Sequence, residues 1–139
     1  VSGPALLLDT CAAIWMVGGD ALSREATQAL NESYASGIPV CISPISAWEV
    51  GLLASRGRLT LALTPAAWFR RLLSIDGIRV EDLSIDALIA SSFLPGSPPR
   101  DPADRMIIAT ARETGLTIVT RDRLILDYAR QGFVTAIAC

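Results

Sequence analysis

The chain predicts an α/β protein, a three-layer α/β/α sandwich around a central, mainly parallel sheet. Three observations carry that prediction. Short apolar runs alternate with longer helix-forming segments along all 139 residues. Three helix starts carry a capping residue followed by proline, namely Ser43-Pro44, Thr64-Pro65 and Asp101-Pro102. Connections are short, apart from one Pro-, Gly- and Ser-rich loop at 94–100.

The elements follow in order. Residues 5–8 form a short apolar strand closed by Asp9, and 10–17 a helix broken by Gly18-Gly19. Residues 22–34 read as a second helix, with Ser23 a candidate cap and Gly37 past its end. The 40–42 strand leads into a helix from Ser43-Pro44 to Arg56-Gly57, where Ile45, Trp48 and Leu52 have helical spacing. Glu49 lies inside it. There it fits half of a capping box with Ser46, although Ser43 is an equally good cap. Thr64-Pro65 opens a helix through Ser74, 78–80 is a third strand, and Ser84 caps a short helix over 85–93. After the long loop, Asp101 caps a helix that Pro102 opens, 103–114 supplies helix formers, and Gly115 ends it. Residues 116–119 are a buried strand, Thr120-Arg121-Asp122 opens a helix over 123–130, and 134–138 is a terminal strand. With no internal repeat or linker, residues 1–139 read as one domain, and Val1 reads as the result of a missing start.

Composition narrows the chemistry. Half the residues are apolar with an ordinary charged fraction, which suits a soluble globular protein. No apolar run is long enough to span a bilayer. The scattered, odd-numbered cysteines suit a reducing compartment, so a cytoplasmic protein is expected. Cys11, Cys41 and Cys139 have neither zinc-site nor disulfide spacing, and Cys11 and Cys41 read as small buried apolar residues. The chain has no histidine, which excludes histidine acid–base catalysis. All twelve basic residues are arginine, so a phosphate loop of Walker type and Schiff-base chemistry are excluded as well. Carboxylates remain as hard ligands, suited to Mg²⁺ or Mn²⁺.

Four acids fall where a parallel sheet gathers ligands, outside the carboxyl ends of its strands. Asp9 follows the first strand, Glu49 lies on the helix after the second, Asp104 opens the helix that feeds the 116–119 strand, and Asp122 follows that strand. Singly, each has a plain structural explanation. Asp9 fits a helix cap, Glu49 half of a capping box, and Asp104 and Asp122 the favourable N-terminal ends of helices, while neighbouring Asp101 also fits a cap. Together the four can converge on one edge, where mutual repulsion calls for a cation. Arg100, Arg105, Arg121 and Arg123 flank them, either to contact phosphate oxygens or to balance local acids. Trp15, Trp48 and Trp68 read as core, unless one proves exposed and marks a protein-binding groove.

The order LLLDT, SAWEVGLL, DPADRMIIATA, IVTRD closely resembles the PIN domain of VapC-type toxins, over nearly the whole chain. The resemblance implies a Mg²⁺- or Mn²⁺-dependent endoribonuclease, with Asp9, Glu49, Asp104 and Asp122 as catalytic metal ligands. It places hydroxyls at Thr10, Ser43 and Thr120 beside them, and an additional acid at Asp101. It further implies an RNA substrate, an antitoxin protein partner and a homodimer. Two positions depart from many relatives, which carry histidine where Cys11 and Pro99 stand. Phosphoryl-transfer domains of response-regulator or haloacid-dehalogenase type also put acids at strand ends, but need a lysine that this chain lacks. The alternative within the family is a silent scaffold that binds partners without cutting. It would be expected to lose some of the four acids, and all are present.

Overall fold

The computed structural model describes residues 5–139. In chain order the elements are β1 (Leu6–Leu8), α1 (Thr10–Val17), α2 (Arg24–Ala35), β2 (Val40–Ile42), α3 (Pro44–Ser55), α4 (Pro65–Ser74), β3 (Ile78–Val80), α5 (Ile85–Ala90), α6 (Pro102–Thr114), β4 (Thr117–Thr120), α7 (Arg123–Arg130) and β5 (Thr135–Ala138). The capping logic of the sequence explains the boundaries. Asp9, Ser23, Ser43, Thr64, Ser84, Asp101 and Asp122 each accept a bond from a backbone N–H in the first turn of the following helix. Gly115 ends α6 in the left-handed conformation, at φ 71°, which glycine adopts without steric penalty. The short α5 helix stops at Ala90 rather than at Phe93, because residues 91–93 continue only as a turn.

The five strands are all parallel, in the order β3-β2-β1-β4-β5. Strand alternation sorts the two faces of β1. Leu6 and Leu8 pack with Ala12, Ala26, Trp68 and Leu72 on the side of α1, α2 and α4. Leu7 packs with Ile107, Ile108, Ile125 and Tyr128 on the side of α6 and α7. The result is the expected three-layer sandwich. From β1 the sheet grows through β2 to β3 on one side, then restarts with β4 on the other. The β1–β4 boundary is therefore the switch point, where loops leave in opposite directions and open a crevice. No helix among the described residues is long and apolar enough to cross a membrane.

Candidate active site: an acidic cleft at the switch point

A cleft of about 510 Å³ opens at this switch point, lined by Asp9, Glu49, Asp101, Asp104 and Asp122. The acids come from different elements. Asp9 ends β1 and caps α1, its Oδ1 accepting from Ala12 N–H at 2.7 Å. Asp122 caps α7, accepting from Leu124 N–H at 2.8 Å. Thr120, wholly buried at the end of β4, ties these two together. Its hydroxyl donates to Asp9 Oδ2 and accepts from Asp122 N–H at 2.9 Å. Asp101 caps α6 by accepting from Asp104 N–H at 2.9 Å, which sets the first turn of α6 at the cleft.

Glu49 is held from across the fold. Thr10 shares its hydroxyl between Glu49 Oε1 and Ser46 Oγ, the latter 2.8 Å away. The capping-box reading of Ser46 and Glu49 therefore gives way. Ser43 caps α3, with Ile45 N–H donating to its Oγ at 3.2 Å, and Ser46 and Glu49 face α1 instead. Ser43 is buried in this cap and does not line the cleft. Ser46, buried behind the cleft wall and bonded to Thr10, is the hydroxyl beside Glu49 that sequence reasoning missed. Its helical offset of three from Glu49 was the available signal.

The electrostatics are those of crowded acids. Burial pushes the Asp104 carboxyl up to about 7, and Asp101, Asp122, Glu49 and Asp9 push in the same direction. Glu49 and Asp9 are also raised, chiefly by burial; Thr10 partly offsets this for Glu49, as Thr120 and Ala12 N–H do for Asp9. Cys11 is exposed on the first turn of α1 rather than buried, because its side of that turn faces the cleft while Ala12 and Ala13 face the core. Burial of its sulfur and the surrounding acids raise its thiol to about 11. Cys41 and Cys139 are buried, so the apolar-core reading holds for Cys41 and fails for Cys11.

Of the four flanking arginines, only Arg121 lines the cleft. Arg105 turns to backbone carbonyls, donating to Pro99 O at 2.7 Å and Ser91 O at 3.3 Å, and so straps the 94–100 loop to α6. The tryptophans separate in the same way. Trp68 is core, Trp48 is 58% exposed, and Trp15 lies half-buried in the cleft wall.

Among the described residues no three His, Cys, Asp or Glu side chains close into a cage around an ion. The donor set nonetheless fits a hard divalent cation. The acids make no ion pair, since the only one among the described residues is Arg130–Asp127. Mg²⁺ needs no all-protein cage; it keeps waters and takes one or two carboxylates together with substrate phosphates.

Parallel topology, the switch-point crevice and its acids define an α/β protein with a carboxylate-lined cleft, the candidate active site. A family model for the PIN domain matches residues 6–131, and the chain belongs to that family. It is 32% identical over 131 residues to Ribonuclease VapC22 of Mycobacterium tuberculosis, covering 94% of this chain and 96% of that protein. A toxin–antitoxin complex from Klebsiella pneumoniae is similar at 25% identity, covering 85% of this chain and 87% of that one, with a TM-score of 0.55. VapBC2 from Rickettsia felis, solved bound to a DNA fragment from its promoter, shares the fold. It has a TM-score of 0.69 at 15% identity, covering 97% of this chain and 98% of that one.

Proposed function

We propose that the chain is an endoribonuclease, the toxin of a toxin–antitoxin pair, which hydrolyses RNA phosphodiester bonds with Mg²⁺ or Mn²⁺ held by Asp9, Glu49, Asp104 and Asp122. The observation that carries the reading is the placement of these four acids on one cleft, without a cationic partner. When bound, the cation supplies activation of water and neutralisation of charge on the phosphate. The residues supply the positioning. Thr120 and Ala12 N–H fix both oxygens of Asp9. Thr10 fixes Glu49 against α1. The Asp104 side chain makes no hydrogen bond or ion pair among the described residues, so its carboxylate is free for a ligand. Asp101 acts as the α6 cap that places Asp104.

We read the whole chain as one cytoplasmic domain acting with an antitoxin partner and as a homodimer. The likeness to a toxin–antitoxin complex supports the partner, and exposed Trp48 offers it an apolar contact. The test is cleavage of total RNA by the purified protein. Cutting should require Mg²⁺ or Mn²⁺, stop in EDTA, and be lost in Asp9→Asn. Undiminished cleavage in EDTA would refute the metal-dependent reading. RNA left intact by the metal-loaded protein would favour the silent-scaffold alternative.

A further inference from the structure

Among the described residues, five carboxylates and a single cationic residue, Arg121, line the cleft. RNA phosphates approaching such a surface meet repulsion, so the one fixed cation has unusual weight. Arg121 is not used to neutralise the acids, since among the described residues it makes no ion pair with any of them. It is braced from the other side. Its guanidinium carbon stacks 4.0 Å from the centroid of the Trp15 ring, and Nη2 donates to Ala21 O at 2.8 Å. The side chain is exposed yet held in one orientation, with donors remaining for a ligand. A planar guanidinium held in this way binds a phosphate while losing little conformational entropy.

We infer that Arg121, braced by Trp15 and Ala21, is a preorganised clamp for a backbone phosphate of the RNA flanking the cleaved bond; this rests on the ribonuclease reading above. The brace lies on α1 and the loop after it, and holds Arg121 by contacts that involve neither the acids nor the substrate. The clamp therefore holds substrate and transition state alike, and its loss appears in KM rather than in kcat. Trp15 is a positioning residue that acts through Arg121.

The experiment measures initial rates of RNA cleavage in Mg²⁺ across a salt series for wild type, Arg121→Gln, Arg121→Lys, Trp15→Leu and Arg121→Gln with Trp15→Leu. Arg121→Gln should raise KM about tenfold with kcat little changed, and make log KM against log salt shallower by about 0.7. Arg121→Lys should recover the salt dependence but not the full KM, because an ammonium keeps the charge and loses the planar stack. Trp15→Leu should raise KM in the presence of Arg121 and add nothing in the double variant. Arg121 is exposed, so Arg121→Gln should fold; if Trp15→Leu does not, the two Arg121 variants decide the matter. An unchanged KM and salt slope in Arg121→Gln, with wild type cutting RNA, overturns the clamp and leaves the ribonuclease intact. A loss confined to kcat overturns it as well. If metal-loaded wild type does not cut RNA, both readings fall.

Discussion

Asp104→Asn should abolish cleavage and yet stabilise the metal-free protein in a pH-dependent way. The Asp104 carboxyl rises from 3.8 to about 7, through burial and then the charges of Asp101, Asp122, Glu49 and Asp9. At about 1.36 kcal/mol per pH unit, keeping it ionised in the folded state costs on the order of 4 kcal/mol. Asp104 is only half-buried, and screening by solvent and salt reduces this to about 1–2 kcal/mol. An amide avoids that penalty but gives up a favourable charge in the first turn of α6, worth about 0.3–1 kcal/mol. The net expectation is a gain of about 0.5–1 kcal/mol, or roughly 2–5 °C in Tm at this chain length.

The sign follows from proton uptake. The folded pKa lies above the unfolded one, so the folded protein holds the extra proton as pH rises from 3.8 to about 7. The penalty is absent below that window, grows through it, and is complete above it. Thermal melts in EDTA should therefore show the variant ahead of wild type above about pH 7, with the gap closing towards about pH 4. Saturating Mg²⁺ should close or reverse the order, because ligand at a hundred times its Kd stabilises wild type by about 2.7 kcal/mol and the variant by less. If Asp104→Asn melts below wild type in EDTA at high pH, or if the gap ignores pH, Asp104 serves chiefly the helix terminus and the crowded-acid account is wrong.

Thr120→Val, nearly isosteric, leaves Asp9 Oδ2 without its donor and Asp122 N–H without its acceptor; it should lower stability by about 1–3 kcal/mol and reduce cleavage. Equal melting of both proteins would show the Thr120 bridge to be dispensable. Gly96→Ala should destabilise by about 1–3 kcal/mol. Gly96 sits at φ +68°, and a Cβ there would lie 2.3 Å from Phe133 Cε2. An unchanged midpoint in chemical denaturation would show that the 94–100 loop is not pinned there. Co-expression of a cognate antitoxin should restore growth of cells producing the wild type, measured by colony counts; an antitoxin that binds the protein without rescuing growth would separate binding from inhibition.

Much of the fold was legible because local rules and the tertiary outcome agree. Ser43-Pro44, Thr64-Pro65 and Asp101-Pro102 each open a helix where the pattern places one. The central strands β1 and β2 are continuous apolar runs because both faces of the sheet are covered there, and this marks them even at three residues long. The site is legible for the same topological reason: in a parallel sheet, the residue after a strand and the residue opening the returning helix lie at the same edge. What escaped depends on side-chain direction. No local pattern shows that Arg105 turns inward to Pro99 O, or that Arg121 sits over the Trp15 ring. Cys11 was misjudged because its apolar neighbours 12–13 are buried, while one step round the helix faces the cleft.

Helix capping and the candidate chemistry are not competing explanations of these acids. Asp9, Asp101 and Asp122 are all N-caps, and all line the cleft. A cap commits one carboxylate oxygen to backbone N–H groups and fixes the rotamer. In Asp122, Oδ1 takes both Leu124 and Ile125 N–H, and its other oxygen makes no hydrogen bond among the described residues. Glu49 and Asp104 cap nothing; a threonine holds the one, and the cap of Asp101 places the other. The division separates the effects of substitution. Alanine at Asp9 or Asp122 removes a cap worth about 1 kcal/mol together with the charge, so lost activity there is ambiguous. Asparagine caps as well as aspartate, so Asp9→Asn and Asp122→Asn should keep both helix starts while removing the ligand charge. Loss of cleavage in those variants, with melting in EDTA at or above wild type, assigns the charge to the site rather than to the helix. Melting well below wild type would show that the carboxylate charge itself stabilises the fold, at the helix N-terminus or, for Asp9, through the Thr120 hydroxyl.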